Sequence, residues 1–245
     1  MSSKMFSSHL LTRSLHSSCQ FWKKFPQSLK GKSVAEQRWL VRQLNDPFVK
    51  EAKVKNYRCR SAFKLLEIHE KYKILQPGLR VIDCGAAPGA WSQVAVEKVN
   101  SDKADLEAPV GFVVGVDLLQ ITPLEGAQFL PNTDVTNSTT INKLCDLLPL
   151  QGADVILSDM APNASGIKEM DHEKLISMCM SVLDLAHKVL QPGGTFLCKY
   201  WDGWQAPLLK AQLAKCFQHV KTVKPQASRQ DSAEVFFLAL RYKIK

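Results

Sequence analysis

The sequence predicts an α/β fold, in which a doubly wound and mainly parallel sheet of seven strands is covered by helices on both faces. Two observations predict it. Short apolar runs alternate with segments whose apolar residues recur every three or four positions, and glycine and proline clusters separate them. This is the pattern of strands alternating with helices. With 245 residues, of which 45% are apolar, the chain is long enough for one domain with a buried core.

Residues 1–35 differ from the rest of the chain in composition. They hold six Lys or Arg, no Asp or Glu, many serines, and apolar residues at roughly helical spacing. This composition is typical of a mitochondrial transit peptide, and the alternative is a disordered basic arm that binds RNA. We therefore expect a protein of the mitochondrial matrix whose single folded domain is residues 36–245.

The net charge of +9 is unevenly distributed along the chain. Residues 50–80 and 199–245 each hold nine Lys or Arg against three acids, whereas residues 81–198 hold six against fifteen. Two basic flanks around an acidic middle indicate contact with a polyanion such as RNA. The candidate phosphate contacts are Lys53, Lys55, Arg58, Arg60, Lys221, Lys224 and Arg229.

The cysteine pattern and the hydropathy exclude several classes of protein. The seven cysteines include no C-x-x-C pair, so we expect neither a zinc site nor a disulfide framework. A reducing compartment is the simplest setting for such a chain. No apolar run reaches membrane-spanning length.

The first strand is predicted at residues 81–83, followed by a glycine turn and a helix that begins near Trp91. Gly85 and Gly89 permit backbone angles and a close ligand approach that a Cβ would obstruct. The G-x-G-x-x-G pattern of dinucleotide-binding proteins is absent; the acid followed by G-x-x-P-G resembles the first motif of S-adenosylmethionine-dependent methyltransferases. The alternative is an ordinary strand-to-helix turn. The candidate cofactor-binding residues of this stretch are Asp83, Gly85, Ala86, Pro88, Gly89 and Trp91.

Before this strand, residues 52–74 are predicted to form one helix, which Gln76-Pro77-Gly78 ends. Leu65 and Ile68 belong to its apolar seam, and Lys64 lies at the edge of that buried stripe. A lysine in this position commonly packs its stem against the protein while its ammonium reaches water.

Later strands also end near acids. Strands predicted at residues 110–117 and 153–159 end at Asp117 and Asp159, and a weaker strand ends close to Asp134. Asp117 is a candidate acceptor for ribose hydroxyls, whereas Asp134 is equally a candidate acceptor for an adenine amino group or a helix N-cap. Because the carboxyl ends of parallel strands meet at one edge, these carboxylates favour a cationic, hydroxyl-rich ligand. S-adenosylmethionine has both properties.

The rest of the chain is predicted to complete the sheet and its helical layers. The elements are a long helix at residues 171–190, a glycine turn at 191–194, a strand at 195–201, a helix at about 205–219, and strands near 222–223 and 234–240.

Four stretches together resemble the FtsJ family of ribose 2′-O-methyltransferases, and in particular its mitochondrial branch acting on large-subunit ribosomal RNA. The stretches are residues 60–65, 83–91, 157–163 and 228–234, and the resemblance covers roughly residues 50–242. It implies a Rossmann-like fold, S-adenosylmethionine as cofactor, and large-subunit rRNA or a ribosomal precursor particle as partner. It also implies a uridine in the A loop of the peptidyl-transferase centre as target, and a role in ribosome assembly.

The same resemblance implies a catalytic tetrad of Lys64, Asp159, Lys199 and Glu234. A ribose 2′-hydroxyl is a weak nucleophile, so its proton must be removed or its developing charge stabilised. Lys199 is the candidate base or hydroxyl-positioning group, Asp159 and Glu234 would orient the lysines, and Lys64 would hold the nucleotide. Each of these residues taken singly reads as a surface or edge charge; the joint match favours the tetrad.

Other functions fit the sequence less well. Asp159-Met160-Ala161-Pro162 has some likeness to the motif of enzymes that methylate exocyclic amines, but it lacks the second proline and the aromatic residue. No Pro-Cys motif of a C5-pyrimidine methyltransferase is present. A non-catalytic rRNA-binding assembly factor remains an alternative. Tyr57, Trp201 and Trp204 are weak candidates for stacking on bases.

Overall fold

The computed structural model describes residues 30–149 and 152–243. The predicted transit peptide, residues 1–35, lies mostly outside the described residues and stays a prediction. The described chain divides into two compact units at Asp46 and Pro47. In the first unit, helix α1 (Val34–Asn45) begins with a capping box, in which the Ser33 side chain accepts from the Glu36 main chain and the Glu36 side chain accepts from the Ser33 main chain.

The second unit alternates helices and strands, as predicted. Its helices are α2 (Pro47–Val54), α3 (Ala62–Tyr72), α4 (Ala90–Val99), α5 (Ser138–Leu147), α6 (Lys168–Val189) and α7 (Ala206–Cys216). Its strands are β1 (Arg80–Cys84), β2 (Phe112–Val116), β3 (Ala127–Leu130), β4 (Ala153–Ser158), β5 (Leu190–Trp201), β6 (Phe217–Val223) and β7 (Glu234–Tyr242).

These strands form one seven-stranded sheet in the order β3-β2-β1-β4-β5-β7-β6. The first five in this order pair in parallel, whereas β7 is antiparallel to both β5 and β6. Cys84, the last residue of β1, lies opposite Val116 and Ser158, the last residues of β2 and β4. The predicted sheet is confirmed, and its parallel strands end at a common edge, where ligands bind in folds of this kind.

Alternate residues of each strand enter two separate cores. Val81 and Val155 pack with apolar residues of α3 and α4 on one face, and Ile82 and Ile156 pack with those of α5, α6 and α7 on the other. This alternation follows from the two-residue repeat of a strand. Helices therefore cover both faces, as expected for a doubly wound sheet.

The prediction of one continuous helix over residues 52–74 is wrong. The segment between α2 and α3 leaves the helical path at Asn56, whose φ is 58°. Arg58 anchors it to the glycine turn: its main-chain N–H donates to Gln93 Oε1 at 2.7 Å, and its guanidinium donates to the Pro88 carbonyl at 2.9 Å. Tertiary hydrogen bonds thus override a local helical pattern.

Two predicted boundaries also shift. The turn at residues 191–194 lies within β5, where the pairing with β4 changes register between Ala153 and Val155. The helix expected to reach residue 219 ends at Cys216, because Phe217 is 1% exposed in the core and starts β6. In the described part of the chain, no helix combines the length and apolarity needed to cross a bilayer.

Phe236 supports the face of the sheet that carries α3 and α4. Its side chain is fully buried, and its ring centroid lies 5.8 Å from that of Trp91. We expect Phe236→Ala to lower the free energy of unfolding by about 3–5 kcal/mol, because it removes a large buried ring. In urea denaturation, the control Leu106→Ala, at a side chain that is 92% exposed, should change it by about 0.5 kcal/mol or less. Equal effects would contradict this assignment of the core.

Candidate active site

Four charged side chains from distant parts of the chain form one buried cluster. Lys64 comes from α3, Asp159 directly follows β4, Lys199 lies in β5, and Glu234 starts β7. Their side chains are 11%, 16%, 8% and 14% exposed, respectively. The fold brings together all four residues of the predicted tetrad.

Lys64 joins the two carboxylates. Its Nζ lies 2.8 Å from Glu234 Oε2 and 3.4 Å from Asp159 Oδ2. It also lies 5.8 Å from the centroid of the Phe236 ring. The ordinary explanation for a lysine at the edge of an apolar stripe, an ammonium that reaches water, is therefore wrong here: the ammonium turns inward to carboxylate partners.

Lys199 is held entirely by Asp159. Its Nζ donates to the Asp159 main-chain carbonyl at 2.5 Å and lies 3.0 Å from Oδ1 of the same residue. An ammonium has three N–H donors, so these contacts leave one for a substrate oxygen. Because both contacts come from one residue, a small movement of Asp159 would move the lysine with it.

Glu234 is fixed from two sides. Its Oε2 pairs with Lys64, and its Oε1 accepts a hydrogen bond from Ser228 Oγ at 2.7 Å. Burial alone would raise the pKa of Glu234, but the charge and hydrogen bond of Lys64, the Ser228 hydroxyl and the charge of Lys199 together lower this pKa below its ordinary value. Glu234 is thus an anion that orients Lys64. Ser228 was not predicted, since nothing local in the sequence links it to an acid six residues later.

A cavity of about 350 Å³ adjoins this cluster at the carboxyl ends of the parallel strands. Its lining includes Gly85, Ala87, Asp117, Thr133, Asp134, Asp159, Met160 and Asn163. Three of these are carboxylates at or after strand ends, as expected. Asp159 belongs both to the cavity lining and to the lysine cluster, so a ligand in the cavity would lie next to the paired lysines.

Asp117 and Asp134 are oriented in different ways. Asp117 accepts from the main-chain N–H of Ala87 at 2.9 Å and of Leu119 at 2.8 Å, which fixes its carboxylate in the cavity wall. Asp134 accepts from the main chain and the hydroxyl of Thr136, each at 2.8 Å. The N-cap of α5 is Asn137, so the N-cap interpretation of Asp134 is wrong; its role toward adenine stays a prediction.

Asp83 lies below the surface of the site. It is 1% exposed and accepts a hydrogen bond from Ser92 Oγ at 2.7 Å. Burial raises the pKa of Asp83 to about 7; the Ser92 hydroxyl opposes this rise, and the charges of Asp159 and Asp117 add to it. Asp83 is predicted from the sequence to bind the cofactor directly; its described side-chain contact is with Ser92 of α4, and the cofactor role stays a prediction.

Protein side chains pack closely against both glycines of the turn. Gly85 has a φ of 74°, and a Cβ there would come within 2.3 Å of Met160 Cγ. Gly89 has a φ of 104°, and a Cβ there would meet the Arg58 guanidinium at 2.4 Å. Both positions therefore need glycine.

The remaining predicted residues of the turn do not line the cavity, and of these Pro88 is exposed. The Trp91 indole N–H donates to the Ser61 carbonyl at 2.8 Å, and this side chain is 3% exposed. Ala86 is 4% exposed, and the Pro88 carbonyl accepts from Arg58. Of the predicted turn residues, Gly85 lines the cavity, whereas Ala86, Pro88, Gly89 and Trp91 hold the turn against its neighbours.

Several residues that are predicted to contact RNA form hydrogen bonds within the protein. Arg58 donates to the Pro88 and Pro123 carbonyls, and Arg60 donates to the Ala227 carbonyl. The Tyr57 hydroxyl donates to Glu97 Oε2 at 3.2 Å. The Trp204 side chain, by contrast, is 69% exposed. Within residues 30–149 and 152–243, no group of three or more His, Cys, Asp or Glu side chains is arranged to hold a metal ion.

Comparison with known proteins identifies close relatives of this chain. The family described as FtsJ-like methyltransferase matches residues 57–242. "rRNA methyltransferase 2, mitochondrial" of Drosophila melanogaster is 44% identical over 224 residues, which cover 91% of this chain and 90% of the relative. "Ribosomal RNA large subunit methyltransferase E" of Xanthobacter autotrophicus is 43% identical over 214 residues, which cover 87% of this chain and 82% of the relative.

A solved structure shares the fold. A crystal structure of a Plasmodium falciparum protein assigned as a ribosomal RNA methyltransferase superposes with a TM-score of 0.67 and is 28% identical in sequence. The alignment covers 77% of this chain and 100% of the other.

The raised pKa of Asp83 leads to a test of how the site affects stability. Between the unfolded pKa near 3.9 and the folded pKa of about 7, the folded protein keeps a proton that the unfolded chain has lost, so stability falls as pH rises through this window. Asp83→Asn does not titrate but can still accept from Ser92. We expect its stability relative to the parent to rise by about 2 kcal/mol between pH 5 and pH 7.

Urea denaturation of both proteins at the two pH values measures this difference. The exposed Asp146→Asn serves as control and should follow the parent at both pH values. A parallel pH dependence for Asp83→Asn and the parent would show that Asp83 is ionised throughout.

Proposed function

The chain belongs to the FtsJ-like methyltransferase family, and from this membership and the site geometry we propose that it transfers the methyl group of S-adenosylmethionine to a ribose 2′-hydroxyl of large-subunit ribosomal RNA. The observation that carries the proposal is the double role of Asp159, which lines the cavity and pairs with Lys199 at 3.0 Å. A ligand in the cavity and a hydroxyl at the lysines would meet at this residue.

The cavity suits S-adenosylmethionine in size and chemistry. Its volume of about 350 Å³ is within the usual range for small-molecule sites. Asp117 keeps acceptor capacity beyond its two main-chain contacts, and a carboxylate of this kind binds ribose hydroxyls. Asp134 and Asp159 favour an amino group and a cation. When bound, the cofactor supplies a methyl carbon activated by a sulfonium.

Lys199 acts on the ribose hydroxyl in this proposal. The contacts with Asp159 leave one position on Lys199 Nζ for the 2′-oxygen. In the ammonium this position is an N–H that holds the oxygen, and in the neutral amine it is the lone pair that accepts the proton of the hydroxyl. Lys64 stabilises negative charge that develops on the oxygen, and Glu234 and Asp159 keep both lysines in place.

The names of the relatives support the proposed substrate. The Drosophila melanogaster relative is named as a mitochondrial rRNA methyltransferase, and the bacterial relatives are named as large-subunit rRNA methyltransferases. These names support a mitochondrial large-subunit rRNA as substrate. In this proposal the protein acts on it in the mitochondrial matrix, as free RNA or within a precursor particle. Its target is a uridine of the A loop, and the modification supports ribosome assembly. The basic segments at residues 50–80 and 199–245 support binding to such a polyanion.

Substitution of Lys199 tests the catalytic part of the proposal. We expect Lys199→Ala to slow methyl transfer by about a thousandfold while RNA binding persists, because a positioned general base contributes roughly this much. Lys199→Arg should be equally slow, since a guanidinium keeps its proton. The control is Lys188→Ala, at an exposed lysine of α6.

Single-turnover transfer of labelled methyl groups to RNA measures both variants. Substantial activity of Lys199→Arg would show that the side chain only positions the hydroxyl. Full activity of Lys199→Ala would remove Lys199 from the mechanism.

Substitution of Asp117 tests the cofactor site. Asp117→Asn keeps the shape of the side chain but removes its charge, and we expect cofactor affinity to fall about tenfold, as for other hydrogen bonds to charged groups. Calorimetric titration with S-adenosylmethionine measures this change, with Asp146→Asn as the control. Unchanged affinity would place the cofactor elsewhere.

A further inference from the structure

A second concave surface lies beside the tetrad and takes no part in the function described above. We call it the Trp204 cleft; it has a volume of about 520 Å³, and its lining includes Asp171, His172, Trp201, Asp202, Gly203 and Trp204. Its floor is continuous with the catalytic strands: Trp201 follows Lys199 by two residues on β5 and lies opposite Glu234 on β7. At a strand rise of about 3.3 Å per residue, the cleft begins about 7 Å from Lys199.

Two aromatic side chains give the cleft its flat surfaces. The Trp204 indole is 69% exposed, which is unusual for the largest apolar side chain. Trp201 is partly buried against the core, so the cleft has one fixed and one free indole. Exposed aromatic rings beside a nucleic-acid site stack on unpaired bases.

A buried polar atom also lacks a partner here. His172 is 7% exposed, and its Nε2 has no hydrogen-bond partner among the described residues. Such atoms are rare in folded proteins and need an explanation. The ring edge of His172 lies against Gly203: a Cβ at that position would come within 2.7 Å of Cε1 and 3.0 Å of Nε2. Because Gly203 has no side chain, the main chain packs directly against this ring, and Nε2 has almost no accessible surface.

The charges of the cleft exclude a phosphate as occupant. Glu169, Asp171 and Asp202 line it against one cation, Lys168. This excess of carboxylates repels phosphates but accepts hydrogen bonds from the N–H groups of base edges. Asp171 is held in place by Ser165, whose hydroxyl donates to it at 2.6 Å.

We propose that the Trp204 cleft binds the unstacked base of a nucleotide neighbouring the methylated one, with the base stacked on Trp204 and its N–H groups facing the carboxylates of the cleft. The proposal rests on the proposed function, because it takes RNA as the substrate. A base held in this cleft, next to the strands that carry Lys199 and Glu234, would fix which ribose reaches the tetrad. The cleft thereby selects the position of the target in the strand.

Truncation of the exposed indole is the first test. We expect Trp204→Ala to weaken RNA binding and to raise KM for RNA about tenfold, the usual effect of losing one stacked base, with a smaller change in cofactor affinity than in RNA affinity. Trp204→Phe should keep most of the RNA affinity. Trp39→Ala removes another exposed indole, 52% exposed, and should change neither quantity. An unaltered melting temperature for Trp204→Ala confirms that the fold is intact.

Abasic RNA separates stacking from other effects. RNA that lacks the base at one neighbouring nucleotide should bind the parent about tenfold more weakly, yet bind Trp204→Ala no more weakly than intact RNA does. If the losses of affinity from Trp204→Ala and from the missing base add together, whichever neighbouring nucleotide lacks its base, the proposal is overturned.

The outcomes also separate this proposal from the proposed function. If the Trp204→Ala variant keeps its RNA affinity and still transfers a methyl group to a ribose, the proposal for the cleft is overturned and the proposed function stands. If the parent transfers no methyl group, the function fails, and the binding comparison with abasic RNA still decides the cleft. A loss of activity by Trp204→Ala on precursor particles, with normal binding to free RNA, would assign the cleft to a ribosomal protein and overturn the proposal.

Discussion

The site depends on one carboxylate, Asp159, at the point where β4 ends. Its side chain pairs with Lys199 at 3.0 Å and with Lys64 at 3.4 Å, and the same residue lines the cavity at the carboxyl ends of the strands. Burying an ammonium without a partner is costly, so each lysine can stay inside only because a carboxylate meets it. The position of Asp159 is in turn fixed by β4, which pairs with β1 and β5 in the middle of the sheet.

The cluster also explains why distant segments must come together. Lys64 and Glu234 are 170 residues apart in sequence, and their contact brings α3 to the antiparallel strand β7. Phe236 lies near Lys64 and packs at a tilt against Trp91, whose indole N–H donates to the Ser61 carbonyl. Packing in the core, the shape of the turn and the geometry of the charged site are therefore linked through a few side chains.

Much of the fold could be predicted from the sequence, because its strands are short apolar runs that end at acids and its long helices have a clear repeat. The errors have physical causes. The break between α2 and α3 is set by hydrogen bonds of Arg58 to residues far along the chain, which no local pattern contains. Phe217 ends α7 because it fits the core better as the first residue of a strand.

The site was predictable in part. The residues alone indicated a ligand site rich in carboxylates at the carboxyl ends of the parallel strands. The tetrad, by contrast, was predicted from the family resemblance and not from the spacing of residues in the sequence. Three features needed coordinates: Ser228 beside Glu234, the inward contact of Trp91, and the unpartnered nitrogen of His172. Each depends on contacts between segments that are remote in sequence, so sequence reasoning could name neither the pairs nor their geometry.

The central claim is that the protein methylates a ribose oxygen of large-subunit rRNA. The most direct measurement incubates the full chain with methyl-labelled S-adenosylmethionine and large-subunit precursor particles, then hydrolyses the RNA in alkali. Alkaline cleavage requires a free 2′-hydroxyl, so a methylated ribose protects the bond that follows it. The account predicts label in an alkali-resistant dinucleotide. Label in ordinary mononucleotides would mean that a base is methylated, and it would contradict the role assigned to the Lys64, Asp159, Lys199 and Glu234 cluster.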